Sequence, residues 1–344
     1  MRVKWIILLS AVVIFGFTSL KIFELKFPSY FPKPVYDLKT NPLSPEKIEL
    51  GKALFYDPIL SKDNTISCAS CHNSYQAFAH TDHQLSHGIN DLIGTRNAPP
   101  LFNLAWHTIF MWDGSVNHLD VQALAPIAHP KEMNEKIENV VKKLQASKLY
   151  PKLFLKAFKD SIITGEHILK AISQFQLTLI SAGSKYDRVK QNKAKFTEQE
   201  EKGYQLFIEN CNACHTEPLF SNYKFANNGL NTDTTLKDMG RYTITKQNAD
   251  SLKFKIPSLR NLSYTNPYMH DGRFNKLHQV LNHYINIKDS KILSPELKKP
   301  IKLNSDQKTD LIAFLLTLND SAFVFNPQHQ YPKNILMPGE GNRK

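Results

Sequence analysis

Apolar side chains recur at helical spacing along most of the chain, and this periodicity predicts helices in both halves. In residues 164–181 the apolar face consists of Ile168, Leu169, Ile172, Phe175 and Leu179. Similar patterns predict helices at about 135–147, 275–286 and 305–318. Two more helices begin at N-cap signals, Ser44-Pro45-Glu46 and the capping box Thr197-Glu-Gln-Glu200. Because alternating β-branched residues are scarce, we predict a mostly α-helical protein.

Two of these helices carry the same short motif and lead to the same kind of cysteine cluster. Gly51-Lys-Ala-Leu54-Phe55 precedes Cys68-Ala-Ser-Cys71-His72, and Gly203-Tyr-Gln-Leu206-Phe207 precedes Cys211-Asn-Ala-Cys214-His215. We interpret this pair as a divergent internal duplication that produces two domains. The predicted domains are residues 44–185 and 186–320, followed by a C-terminal tail at 321–344.

The N-terminal residues 1–25 differ from the rest of the chain. Arg2 and Lys4 precede a run of mainly apolar residues at 5–20, which is typical of an export signal. A clear Ala-x-Ala cleavage site is missing, so an uncleaved inner-membrane anchor is an alternative, although the run is short for a full span. We therefore predict an exported, periplasmic protein with a signal peptide or signal anchor. Prolines at 28, 32, 34 and 42 disfavour a regular helix and predict an extended tether at 26–43.

Composition excludes several classes of protein. The chain has 344 residues, of which 42% are hydrophobic, so it can form about two domains and is not a disordered protein. The formal charge of +12 would suit a nucleic-acid partner, but the lysines are scattered along the chain. We interpret them as an ordinary solvated surface, with docking of an acidic protein as the alternative. No nucleic-acid partner is predicted.

All four cysteines lie in the two Cys-x-x-Cys-His clusters, which argues against a disulfide-stabilised scaffold. Cys-x-x-Cys-His is the attachment motif of haem c, in which both thiols bond the porphyrin and the histidine ligates the iron. A redox dithiol does not require the histidine, and zinc knuckles are usually closer than the 140 positions between the two clusters. We therefore predict two haem c groups, one held by Cys68, Cys71 and His72 and the other by Cys211, Cys214 and His215.

Further motifs lie between and after the two clusters. In chain order they are Gly94-Thr-Arg-Asn97-Ala-Pro99, Met111-Trp112-Asp-Gly114, Leu119-Asp-Val-Gln122, Glu132-Met133, Phe254-Lys-Ile-Pro257-Ser-Leu-Arg260-Asn261 and Pro267-Tyr-Met-His270-Asp-Gly272. With the clusters they cover about residues 44–318, and the whole resembles the bacterial di-haem cytochrome c peroxidase family, with MauG-like features. The resemblance implies two cytochrome c-like domains, with the peroxide site at the haem of His72 and the electron-transfer site at the haem of His215.

The resemblance also implies roles for single residues. Glu132 falls at the family's distal carboxylate, which takes a proton from bound peroxide and delivers it to the leaving oxygen. Gln122 falls at the distal amide, and Trp112 at the tryptophan between the two haems. Taken alone, Glu132 would be a surface acid and Trp112 a core aromatic. A calcium ion at the domain junction is implied as well, at Asn97, Thr265 and Pro267.

Two positions depart from the pattern of the classical family members. The distal histidine of the first haem would fall on Ile89, so we expect this iron to lack that ligand, with His87 as the alternative and His80 and His83 further away. The axial methionine of the second haem is replaced by Tyr284, as in MauG. The alternative ligands of this second iron are Met269, Met239 and His283.

These features predict a cytochrome c peroxidase that reduces hydrogen peroxide to water with electrons from a small cytochrome c or cupredoxin. One alternative is a MauG-like di-haem oxidase that acts on a partner protein. Another is a non-catalytic di-haem electron carrier. The family also raises the possibility of a homodimer.

Overall fold

A computed structural model describes residues 23–337, and the signal segment predicted at 1–25 lies almost wholly outside them. The described chain is mostly helical, which confirms the predicted fold class. The helices are α1 Pro45–Tyr56, α2 Cys68–Cys71, α3 Leu119–Gln122, α4 Leu124–Ala128, α5 Ile137–Ala146, α6 Tyr150–Phe158, α7 Gly165–Leu177, α8 Lys185–Lys190, α9 Glu198–Asn210, α10 Tyr242–Thr245, α11 Leu277–Ile285, α12 Ser305–Leu316, α13 Ser321–Val324 and α14 Lys333–Leu336. The strands β1 Phe225–Ala226 and β2 Phe254–Lys255 form an antiparallel ribbon.

The helices predicted from apolar periodicity are present, with small differences at their ends. The predicted N-caps are also present, since Ser44 Oγ accepts from Lys47 N at 3.2 Å and Thr197 forms a complete capping box. The helix predicted at 164–181 ends at Leu177 because the following backbone hydrogen-bonds to Asn103 instead. Helix α6 was not predicted.

The duplicated glycine motif marks a helix crossing in each half of the molecule. Gly51 of α1 lies against α7, where a Cβ atom would come 1.8 Å from the backbone oxygen of Ala171. Gly203 of α9 lies against α12 in the same way, and a Cβ atom there would come 2.0 Å from the backbone oxygen of Asp310. Because any side chain would force the helices apart, glycine is required at both crossings. Each crossing aligns the helix that leads into a cysteine cluster.

Among residues 23–337, the apolar core forms three clusters, one in each half and a third that includes Phe78 of the first half and Leu219 of the second. In the N-terminal half, α1, α6 and α7 enclose a cluster that includes Leu54 and Phe154. In the C-terminal half, α9 and α12 enclose a cluster that includes Phe207 and Phe314. Each cysteine cluster therefore follows a helix that is anchored in its own core.

Residues 26–43 contain no helix or strand, but their side chains pack against both halves. Phe31 is buried and packs edge-on against Trp106 with ring centroids 5.4 Å apart. The Tyr30 hydroxyl donates to Asp187 Oδ1 at 2.5 Å. This segment therefore connects the core of the first half to α8.

The C-terminal segment after residue 320 returns to the first half. Ile335 of α14 is buried in the cluster around α1, and the Tyr56 hydroxyl donates to the backbone oxygen of His329 at 2.5 Å. No helix within residues 23–337 is both long and apolar enough to span a membrane.

Candidate haem sites

The first cysteine cluster forms one helical turn that presents His72. Cys68 and Cys71 begin and end α2, and the backbone N–H of His72 donates to Cys68 O at 2.9 Å. The imidazole Nδ1 lies 2.8 Å from Phe78 O. Since a carbonyl can only accept, Nδ1 carries the proton and Nε2 keeps a free lone pair. Burial lowers the pKa of His72 to about 4, so the imidazole is neutral at physiological pH.

The second cluster has the same local geometry. Cys211 follows α9 as its C-cap, and the backbone N–H of His215 donates to Cys211 O at 2.9 Å. Its Nδ1 lies 3.1 Å from Pro257 O and 3.3 Å from Phe220 O, so Nε2 is again the free nitrogen. Burial lowers the pKa of His215 to about 4. Both histidines therefore have the form of an iron ligand whose other nitrogen is hydrogen-bonded.

The four thiols are unlike those of a redox dithiol. Burial raises the pKa of both Cys68 and Cys211 to about 12, whereas a reactive thiol needs a lowered pKa. All four cysteines are free of disulfides. They therefore fit the thioether attachment that the motif predicts.

A mainly apolar cavity of about 210 Å³ lies beside the second cluster. It is lined by predicted site residues from five separate segments: Asn97, Trp112, Cys211, Cys214, His215, Thr265, Pro267, Met269 and Tyr284. Apolar walls with two thiols and a neutral imidazole fit a haem covalently held at one edge. The structure thus brings together residues that are far apart in the sequence.

Two of the predicted axial ligands line this cavity with His215. Tyr284, on α11, has a pKa raised to about 12 by burial. Met269 accepts a hydrogen bond at its Sδ from Asn228 Nδ2 at 3.5 Å. His283 is engaged elsewhere, because its Nε2 lies 2.9 Å from Asn228 O and must donate to it. Met239 does not line the cavity.

Trp112 lies in the wall of the same cavity, although it belongs to the first half of the chain. Its indole N–H donates to Asn97 O at 2.9 Å, and its backbone oxygen accepts from Lys255 N at 2.7 Å. The first bond orients the indole, and the second joins the backbone of Trp112 to β2. Asn97, Thr265 and Pro267 lie around the same wall, and calcium there stays a prediction.

Glu132 lies near the first cluster, where its charge contributes to the raised thiol pKa values of Cys68 and Cys71. Burial raises the pKa of Glu132, and the nearby His129, with Nδ1 3.6 Å from Oε1, opposes this. Gln122 is buried and hydrogen-bonds Gln176 at 3.1 Å; among residues 23–337, no hydrogen bond joins it to Glu132. The structure therefore brings Glu132 to the cluster but leaves Gln122 bonded elsewhere.

The histidines before Ile89 form a row near the same cluster. His80, His83 and His87 follow one another with ring centroids 5.4 and 4.3 Å apart. His87 Nδ1 lies 2.6 Å from Asp91 Oδ1, and Ile89 is buried with its N–H bonded to Glu132 O at 2.8 Å. The absence of a distal histidine ligand stays a prediction.

Comparison with known proteins identifies the family. Residues 45–195 match the family model described as di-haem cytochrome c peroxidase, and residues 200–319 match that of cytochrome c. The methylamine utilization protein MauG of Methylorubrum extorquens is 38% identical over 309 residues, which cover 86% of this chain and 85% of that protein. The chain belongs to the di-haem cytochrome c peroxidase family.

Other members of this di-haem family are also similar to the chain. The cytochrome c551 peroxidase of Nitrosomonas europaea is 34% identical over 292 residues, covering 83% of this chain and 84% of that protein. A crystal structure of a MauG-like protein associated with microbial copper homeostasis superposes with a TM-score of 0.82 at 31% identity, covering 90% of this chain and 99% of that one. Membership confirms the two haem c groups and a peroxidase-type enzyme.

Several residues of the sites were not assigned a role from the sequence. Lys255 and Arg260 belong to a motif that marks the family, but the motif does not show what they contact. Asn228 and His107 lie in segments without any recognisable pattern. Their positions depend on contacts between distant segments, which single-sequence patterns do not contain.

Proposed function

We propose that this protein is an exported cytochrome c peroxidase that reduces hydrogen peroxide beside the His72 cluster with electrons from a small cytochrome c or cupredoxin. The observation that carries the proposal is the partly buried Glu132 carboxyl near Cys68 and Cys71. The proposed parts are an export segment at 1–25, a peroxide domain at 44–185 and an electron-transfer domain at 186–320.

Peroxide reduction consumes two electrons and two protons, H2O2 + 2 e− + 2 H+ → 2 H2O. The haem iron supplies the redox chemistry when the group is bound to His72. Glu132 supplies proton transfer: its carboxylate takes the proton of one peroxide oxygen and returns it to the other as water leaves. Burial raises the pKa of Glu132, which brings it nearer the working pH and suits a group that both takes and gives a proton.

Other side chains have supporting roles in this proposal. The hydrogen bond from His72 Nδ1 to Phe78 O orients the imidazole and increases its basicity as a ligand. Trp112 relays electrons from the second domain, since its indole is held in the wall of the His215 cavity. Tyr284 would hold the second haem together with His215, which its position in that cavity supports.

The decisive experiment is a rapid-mixing titration of the purified ferric protein with hydrogen peroxide, comparing Glu132→Gln with the wild type. The substitution keeps the shape but removes the ionisable group, so we expect the reaction to slow by about 100-fold or more. Glu138→Gln, at an exposed position of α5, is the matched control and should react like the wild type. Equal rates for Glu132→Gln and the control would refute the assignment of Glu132.

A MauG-like oxidase that acts on a partner protein is the second candidate. It is favoured by the 38% identity to a MauG protein and by Tyr284 in the second cavity. The two functions differ in turnover with peroxide and a reduced small cytochrome c. A peroxidase oxidises the cytochrome repeatedly, whereas the oxidase retains the two oxidising equivalents and turns over poorly. A protein that binds neither peroxide nor cyanide would be an electron carrier.

A further inference from the structure

Lys255 lies in the wall of the His215 cavity without a carboxylate partner. Of the residues that line this cavity, it is the one lysine or arginine. Burial lowers its pKa to about 8, and no neighbouring carboxylate of the described chain raises it. The one acidic residue in the same lining is Glu296, and its charge contributes, after burial, to the raised pKa of Cys214 instead. Lys255 is partly buried, and an ammonium in an apolar wall without an anion is unfavourable, so this position is suited to an anionic ligand.

The register of the ribbon directs Lys255 toward the loop that contains Trp112. Lys255 pairs with Phe225, and directly opposite residues of an antiparallel pair share a face. Phe225 on that face contacts the loop at Gly114, where a Cβ atom would come 2.4 Å from its ring. Lys255 N donates to Trp112 O at 2.7 Å. Lys255 therefore lies between the second haem site and the first half of the chain.

Two more polar groups lie beside Lys255. The charge of Lys255 contributes to lowering the pKa of His107, although burial is the larger cause, so the two side chains are close. The His107 ring lies 4.3 Å from that of Tyr223, whose hydroxyl is buried and has no hydrogen-bond partner in the described chain. The ammonium thus has an imidazole beside it and an unpaired hydroxyl next to that imidazole, neither of them among the residues that line the cavity, and each of the three can donate to a carboxylate.

We propose that Lys255, with Tyr223 and His107 beside it, binds a propionate carboxylate of the haem held by His215. A haem carries two ionised propionates, and each must be compensated when it enters an apolar cavity. Lys255 then neutralises one of them next to Trp112. This inference requires the second haem c but not peroxide reduction, so a failure of the Glu132 experiment would leave it standing.

The test compares Lys255→Met with Lys224→Met in the intact di-haem protein. Lys224 is exposed at the start of the same ribbon and serves as the matched control. The readouts are the resonance Raman propionate bending bands and the midpoint potential of the second haem from spectroelectrochemistry. We expect Lys255→Met to shift a propionate band and lower the potential, because a nearby cation favours the reduced haem. Lys224→Met should change neither.

Two further measurements separate this role from a structural one. Lys255→Arg should restore the potential, and Tyr223→Phe should lower it by a smaller amount while the haem content per chain stays unchanged. These two variants also test the proposal if Lys255→Met fails to fold. Identical spectra and potentials for Lys255→Met, Lys224→Met and the wild type would overturn the proposal. A shift that depends on added inorganic phosphate would also overturn it, since the ligand would then be a free anion.

Discussion

Replacing Arg260 by methionine should strongly destabilise the C-terminal half. Arg260 and Asp187 form a bidentate ion pair with both N···O distances at 2.8 Å, and both side chains are 0% exposed. Arg260 also donates to Pro218 O at 2.7 and 3.1 Å. These bonds fix the loop between His215 and Phe220, whose backbone oxygen lies beside His215 Nδ1. The substitution leaves the Asp187 carboxylate buried with Tyr30 and Ser184 as its remaining hydrogen-bond donors.

Removing one partner of a buried ion pair costs about 3–5 kcal/mol. At about 2–4 °C per kcal/mol for domains of 150–250 residues, the melting temperature should fall by about 6–20 °C. Burial opposes the ionisation of Asp187, but Arg260 outweighs it and holds the pKa of Asp187 below its usual value. The stabilisation is therefore fully present above the ordinary pKa of an aspartate and is lost as the pH falls through the lowered one.

The assay is thermal unfolding at pH 7, followed by far-ultraviolet circular dichroism and haem absorbance. Arg188→Met is the matched control, since Arg188 is exposed on the same helix as Asp187 and should change stability by less than about 0.5 kcal/mol. The double variant Arg260→Met with Asp187→Asn should recover part of the loss, because it removes the unpaired charge. If Arg260→Met melts together with Arg188→Met, the reasoning about this ion pair is wrong.

Three further predictions concern packing, ligation and proton transfer. Gly203→Ala should destabilise the protein by about 1–3 kcal/mol in thermal melts despite its better helix propensity, whereas Lys202→Ala should be nearly neutral; equal effects would contradict the close crossing. Tyr284→Phe should abolish the phenolate charge-transfer band of the second haem, and Met269→Leu should not; the reverse result would assign Met269. The rate of the peroxide reaction should fall as the pH drops through the raised pKa of Glu132. Stopped-flow measurements of the rate of Glu132→Gln against pH should show no such fall.

Much of the local structure follows from short-range patterns. The apolar periodicity predicts α7 because consecutive turns of that helix bury the same face, and the N-cap residues Ser44 and Thr197 mark where helices start. The end of α7 was predicted less well, since Asn103 captures the backbone after Leu177. The local pattern of apolar residues does not show a hydrogen bond to a residue so far away in the sequence.

The sequence by itself determined the two haem sites, because thioether attachment needs two thiols and a histidine within one turn of backbone. It also indicated a duplication through Gly51 and Gly203. Only the tertiary structure showed that each glycine is a helix crossing and that Lys255 lies beside Trp112 without a carboxylate partner. The physical reason is range: covalent attachment and helix capping act within a few residues, whereas burial and charge compensation depend on which distant segments meet.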